Sequence, residues 1–166
     1  FDRHLEAGEM VAQVAYANAY LRRFPIDGCP ERVTNVVYMG MGEPLANYDH
    51  VRESLRRLIE VGGMSARSVT VSTVGVVPGM LRLAEEPWPV YLAVSLHGAD
   101  DETRRRLVPL NDRYPIEAVL GAAEAYFAAK GRRISIEWTL IDGANDSDAQ
   151  ARRLAAIARR LRAHVN

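Results

Sequence analysis

Asn35-Val36-Val37-Tyr38-Met39-Gly40-Met41-Gly42-Glu43-Pro44 is the stretch on which the reading of the fold turns. Val36 to Met39 are apolar and partly β-branched and end at a glycine turn, so they read as a strand buried on both faces. Strands of that kind belong to parallel sheets. In the turn, Gly40 and Gly42 allow a tight bend and leave amides uncovered, Glu43 adds a carboxylate, and Pro44 stiffens the exit. Such a turn can grip a small polar ligand, or it can simply connect a strand to the next helix. It is not a dinucleotide fingerprint: the third glycine of G-x-G-x-x-G would fall on Leu45, and Pro44 has no amide to offer a phosphate.

Upstream of this strand, Met10, Val14, Ala17 and Leu21 recur at helical spacing and predict an amphipathic helix from Glu9 to about Arg22, with Gly8 as N-cap and Pro25 beyond its end. Downstream, Val51, Leu55, Leu58 and Ile59 mark a helix closing at Gly62-Gly63. Ser68 to Val74 reads as a strand, and Pro78-Gly79 opens a short helix through Leu83. Val90 to Leu96 is a third strand. A helix from about Ile116 to Lys130, with Pro115 before it and Gly131 after it, leads to a fourth strand, Ile134 to Ile141. A last helix runs from about Asp146 to His164. One helix followed by four β-α units, with no linker, predicts a single α/β domain over residues 1–166 built on a parallel sheet. A doubly wound sheet and a curved partial barrel produce the same string of elements, and periodicity cannot separate them.

The polar residues fall in a pattern. The turn Gly40 to Pro44, Ser72-Thr73, Ser95-Leu96-His97 and Asp142-Gly143 all lie at or near the C-terminal end of a predicted strand, the edge where parallel α/β folds bind ligands. These residues are expected to converge on one rim. Taken singly, Ser72 can be a turn cap and His97 a satisfied loop histidine. In the fourth strand, Ser135, Glu137 and Thr139 alternate with Ile134, Ile136, Trp138 and Leu140, so Glu137 faces a barrel lumen or pairs with an arginine.

With 166 residues, 48% hydrophobic and 25% charged, the composition is that of a globular domain with a substantial core. No apolar run approaches the roughly 20 residues of a membrane span, and no leader opens the chain, so no membrane partner and a cytoplasmic location are expected. The 21 basic residues balance 21 acidic ones, so any nucleic-acid contact must be local. Arg104-Arg105-Arg106 and the set Arg152, Arg153, Arg159, Arg160 and Arg162 read best as solvated helix faces. The single cysteine, Cys29, lies in a loop between Gly28 and Pro30 and cannot by itself hold an iron–sulfur cluster.

Met39-Gly40-Met41-Gly42-Glu43-Pro44-Leu45 with Asn47 resembles the signature of the radical S-adenosylmethionine (SAM) RNA methyltransferases of the RlmN and Cfr type. The likeness continues in order through Val69 to Pro78, Leu92 to His97 and Arg104 to Pro109, nearly the whole chain. It implies a radical SAM partial barrel, with this chain as the middle four units of an incomplete β/α barrel of six. It also implies methylation of adenosine carbon 2 in 23S ribosomal RNA and transfer RNA through a methyl-cysteine. By the same likeness Gly42, Glu43, Ser72, Ser95, Leu96 and His97 bind S-adenosylmethionine, and a [4Fe-4S] cluster serves the intact enzyme. The family's three-cysteine loop, its methyl-carrying cysteine and a late asparagine have no counterpart here, so the expectation is an internal fragment, itself inactive, whose oligomeric state is open. A carbon-8-specific enzyme of the Cfr kind, a conventional Rossmann methyltransferase and a binding module that uses the same half-barrel without chemistry are the alternatives.

Overall fold

The structure, a computed structural model, describes residues 2–166. Among them, β1 (Val36–Tyr38), β2 (Val69–Thr73), β3 (Tyr91–Ser95), β4 (Ser135–Glu137) and β5 (His164–Val165) form one sheet in the order β1-β2-β3-β4-β5, every pair parallel. The helices are α1 (Ala7–Arg23), α2 (Tyr48–Arg56), α3 (Val77–Glu85), α4 (Asp101–Leu107), α5 (Ile116–Lys130) and α6 (Asp148–Leu161). A doubly wound sheet reverses its strand order partway across. This one never does, so the sheet is singly wound and open, a partial barrel.

Alternation assigns the two faces. Val69, Val71, Leu92, Val94, Ile134 and Ile136 are buried under the helices, where they pack with Leu55, Met80, Leu83, Val119, Leu120 and Tyr126. The register sets Val37 beside Thr70, Thr70 beside Tyr91, and Ser72 beside Ala93, which is beside Ser135; Ser95 lies beside Glu137, so these residues line the concave inner face. That face is open at Val37, 52% exposed, and at Tyr91, 39%, and is covered at Ser72 and Ala93. The stretch from Val36 to Met39 is therefore not buried on both faces, because β1 is an edge strand whose inner side meets no second layer.

Several element bounds differ from the sequence expectation. The N-cap of α1 is Glu6, not Gly8; its backbone N–H donates to Glu9 Oε2 (2.8 Å), and Arg3 Nη1 donates to the same oxygen (2.7 Å). The paired arginine holds the Glu9 carboxyl down at about 2. Helix α2 runs on as a π turn, Arg57–Val61, before Gly63 takes the left-handed conformation (φ 69°). The fourth strand stops at Glu137, since beyond Trp138 the chain turns toward the loop that follows β3. The last helix stops at Leu161, ended by Arg162 at φ 49°, and the residues after it add β5. Helix α4 carries no long apolar periodicity, and the arginine run Arg104 to Arg106, read as a helix face, lies within it; Asp100 caps it, accepting from the Thr103 N–H (2.8 Å). No helix among the described residues is long and apolar enough to cross a membrane.

Candidate functional site

Each predicted site residue lies at a strand's C-terminal end. Glu43 opens the short 3-10 turn Pro44–Asn47, where its Oε1 accepts from the Leu45 N–H (2.9 Å) and its Oε2 from the Val74 N–H just past β2 (2.8 Å). One carboxylate thus joins the first turn to the second strand. Gly42 is exposed, and a Cβ built on it would meet nothing within 4 Å; its φ is not in the left-handed region. Neither packing nor a left-handed backbone demands a glycine there. The turn walls a groove of about 390 Å3 with Leu5, Met10, Val14, Val36 and Met39. Ser72, Ser95 and His97 do not line that groove.

Ser72 is buried on the inner face, and Ser95 is half-buried beside Glu137. The turn-capping role considered for Ser72 belongs to its neighbour: Thr73 Oγ1 accepts from the N–H groups of Gly75 (3.0 Å) and Val76 (3.3 Å). Leu96 is fully buried and anchors the loop. His97 has φ 55°, and its Nδ1 accepts from the Thr139 N–H (3.0 Å). Burial pushes its pKa down, the Arg104 charge pushes the same way, and Glu137 opposes them. Glu137 pairs with no arginine; its oxygens accept from Ser135 Oγ (2.7 Å) and Asn166 Nδ2 (2.8 Å). Asp142 is exposed in the turn beyond.

Three residues hold this rim together, Arg104, which the sequence reading puts on a solvated face, and Gln150 and Asn145, which it does not single out. Arg104 is fully buried, so the solvated-face reading holds for Arg105 and Arg106 but not for it. Its Nη1 donates to Asn111 Oδ1 (2.7 Å) and its Nη2 to the Val74 carbonyl, while its Nε finds no partner. Val74 is therefore gripped at its N–H by Glu43 and at its C=O by Arg104. The signal was available: Arg104 lies three and four residues before Leu107 and Val108, on the inward side of a helix capped by Asp100. Gly98 fits because the chain passes so close to Arg104 that a Cβ would stand 2.5 Å from its backbone nitrogen. Gln150, 6% exposed, accepts from the Ala99 N–H (2.9 Å) and donates to Asp100 Oδ2 (2.6 Å), tying the start of α6 to the same loop. Asn145, 2% exposed, donates to the carbonyls of His97 and Thr139 (2.8 Å each) and accepts from the Ile141 N–H (2.7 Å).

The rim offers an adenosyl amino acid suitable groups: a carboxylate with unused lone pairs, inner-face hydroxyls and an open glycine. It does not fit an iron–sulfur cluster. Cys29 is exposed and stands alone, and no group of three or more His, Cys, Asp or Glu among the described residues is arranged to hold a metal.

The family model for the radical SAM superfamily matches residues 25–155. A probable dual-specificity RNA methyltransferase RlmN from Frankia alni is 55% identical over 168 residues, which cover 99% of this chain and 40% of that protein. The dual-specificity RNA methyltransferase RlmN 1 of Myxococcus xanthus is 46% identical, covering 99% of this chain and 45% of its own length. A crystal structure of a radical SAM methyltransferase from Sphaerobacter thermophilus superposes with a TM-score of 0.92 at 48% identity, over all of this chain and 48% of that one. The chain spans less than half the length of these relatives, and it belongs to the radical SAM superfamily, among sequences of the RlmN type.

Proposed function

We propose that this chain is the S-adenosylmethionine-orienting core, the central part of one domain, of a cytoplasmic radical SAM methyltransferase acting on carbon 2 of adenosine in 23S ribosomal RNA and transfer RNA through a methyl-cysteine. Support comes from the relatives' RNA methyltransferase names and above all from Gly42, a glycine that neither packing nor φ requires, set between Met41 and a carboxylate at a strand end. Bound there, S-adenosylmethionine supplies the adenosyl and methyl groups. Each Glu43 oxygen already takes one backbone N–H, and its remaining lone pairs can receive the cofactor's ammonium group. Ser72 and Ser95 present hydroxyls to its carboxylate or ribose, while His97 closes the far side and Leu96, buried beneath it, anchors the loop. In the intact enzyme the [4Fe-4S] cluster and the methyl-carrying cysteine would come from residues outside this chain, and the work of these residues is to bind and orient.

Gly42→Val in the intact protein tests this directly. Because a Cβ at this position meets nothing within 4 Å, the thermal midpoint should stay within about 2 °C of wild type, a shift worth up to about 1 kcal/mol for a domain of this size. S-adenosylmethionine affinity measured by isothermal titration should fall at least tenfold. Unchanged affinity in a folded variant would refute the assignment of the turn to the cofactor.

A further inference from the structure

A second concave surface adjoins the rim. The turn after β1, the first turn of α3 and the segment joining α4 to α5 enclose a groove of about 340 Å3, walled by Leu45, Tyr48, Gly79, Arg82, Arg113 and Tyr114. Its floor is tightly packed: a Cβ on Gly79 would stand 2.7 Å from the Leu45 Cβ, so glycine is what lets α3 close on the turn. Pro44 alone separates Glu43, which walls the first groove, from Leu45, which walls this one. The two surfaces therefore lie back to back across a single turn of chain.

Both charged residues of the second groove are arginines, and no carboxylate lines it. The Arg82 guanidinium carbon stands 3.8 Å from the centroid of the Tyr48 ring, and that ring is held in place by its hydroxyl, which donates to Glu86 Oε1 (3.0 Å). Arg82 also donates to Asp49 Oδ1 (2.7 Å), but both partners are exposed, so water and salt compete for the pair. The Arg113 guanidinium carbon stands 5.3 Å from the Tyr114 ring centroid. Among the described residues no carboxylate pairs with Arg113, since the adjacent Asp112 is taken by Arg105 (2.5 Å). A chain of zero net charge thus sets two cations, each beside a tyrosine plane, in one groove at its ligand-binding edge.

We propose that this arginine–tyrosine groove binds the backbone of an RNA strand flanking the nucleotide to be modified, with Arg82 and Arg113 each receiving a phosphate. This rests on reading the intact protein as an RNA methyltransferase. Planar guanidinium forks match phosphate oxygens, and tyrosine planes beside them suit the bases of an unpaired strand. A strand is favoured over an acidic peptide by position: a base that reaches the inner face has to leave its stack, and its neighbours then run out over the turn that divides the two surfaces.

In the intact protein, fluorescence anisotropy with a labelled RNA hairpin carrying adenosines in its unpaired loop tests the assignment over a range of salt concentrations. Arg82→Gln and Arg113→Gln should each weaken binding about fivefold and flatten the slope of log affinity against log salt by about 0.7. Both side chains are exposed, so S-adenosylmethionine affinity and the thermal midpoint should stay at their wild-type values. Asp49→Asn, which frees Arg82, should tighten RNA binding about twofold. Arg113 has no ion pair to lose, so Arg113→Gln alone decides the matter: wild-type RNA affinity or an unchanged salt slope in that variant would overturn the inference. A thermal midpoint that falls by several degrees while RNA binding holds would also overturn it, and would make the groove the seat of an acidic protein segment. A wild-type protein that binds S-adenosylmethionine but no RNA at any salt concentration would instead remove the RNA methyltransferase reading, and this groove's ligand with it.

Discussion

Glu43→Gln should destabilise the fold before any ligand is added. The wild-type carboxylate accepts from Leu45 N–H at 2.9 Å and Val74 N–H at 2.8 Å, one donor on each oxygen. Glutamine offers one acceptor oxygen, and its amide nitrogen must face the other N–H, donor against donor. A hydrogen bond to a charged group contributes about 1.5–3 kcal/mol, and an unsatisfied donor costs about 1–3 kcal/mol. Since the site is half-buried, so that water can answer part of the loss, the expected cost is about 2 kcal/mol. With a urea m-value of about 2 kcal/mol/M for a small protein, the unfolding midpoint should fall by about 1 M at unchanged m. Urea titration followed by tryptophan fluorescence and far-ultraviolet circular dichroism measures this. A midpoint within about 0.2 M of wild type would refute the claim that Glu43 fastens the first turn to β2. The same experiment bears on the cofactor, because a loss of S-adenosylmethionine affinity in Glu43→Gln reports on ligand contact only where the variant is shown to be folded.

Arg104→Met takes a hydrogen bond from each of Asn111 Oδ1 and the Val74 and Tyr114 carbonyls and should cost about 3–5 kcal/mol, read as a large fall in thermal midpoint; a loss below about 1 kcal/mol would mean that water replaces the guanidinium. The depressed His97 pKa makes its neutral form the folded form. Its contribution is therefore fully present above the unfolded value of about 6.5, declines as pH falls through the window down to the folded value, and then levels off. Wild type should lose stability across that window more steeply than His97→Asn, and parallel curves from chemical denaturation would contradict it. Strand β1 exposes one backbone edge and Val37, so the chain as it stands should self-associate on size-exclusion chromatography and Val37→Lys should reduce the association; a monomeric wild type at high concentration would show that the edge is inert.

The elements of the fold were legible wherever a pattern of apolar residues had room to repeat. Helix α5 was bounded to the residue, because Pro115 and Gly131 punctuate a long periodic run. Strands β2 and β3 were placed within a residue at each end. Periodicity failed where burial and segment length part company. Val36 to Met39 has the composition of a doubly buried strand but lies at an edge, and composition carries no information about how many layers cover a face. The fourth strand was drawn too long since Thr139 to Ile141 alternate as a strand would, while their backbone groups are bonded to His97 and Asn145 instead. The candidate site was legible as positions, because strand ends are marked by where apolar runs stop. The groups that fasten those positions were not, as Arg104, Asn145 and Gln150 have the side chains of surface residues, and only tertiary contact shows that Arg104 satisfies the backbone of the loop after β2 and the other two that of the loop after β3.

The sequential strand order has a consequence for how the chain is made. Each strand from β2 onward docks on the strand translated just before it, so every new segment leaving the ribosome finds its template already formed, and no strand must wait for one still to be synthesised. At about 5–20 residues per second, successive docking steps are seconds apart, long compared with the microseconds in which a helix forms. The sheet can therefore assemble in the direction of synthesis. The growing edge is then the transient aggregation hazard, and the helix that follows each strand closes one of its faces before the next strand arrives.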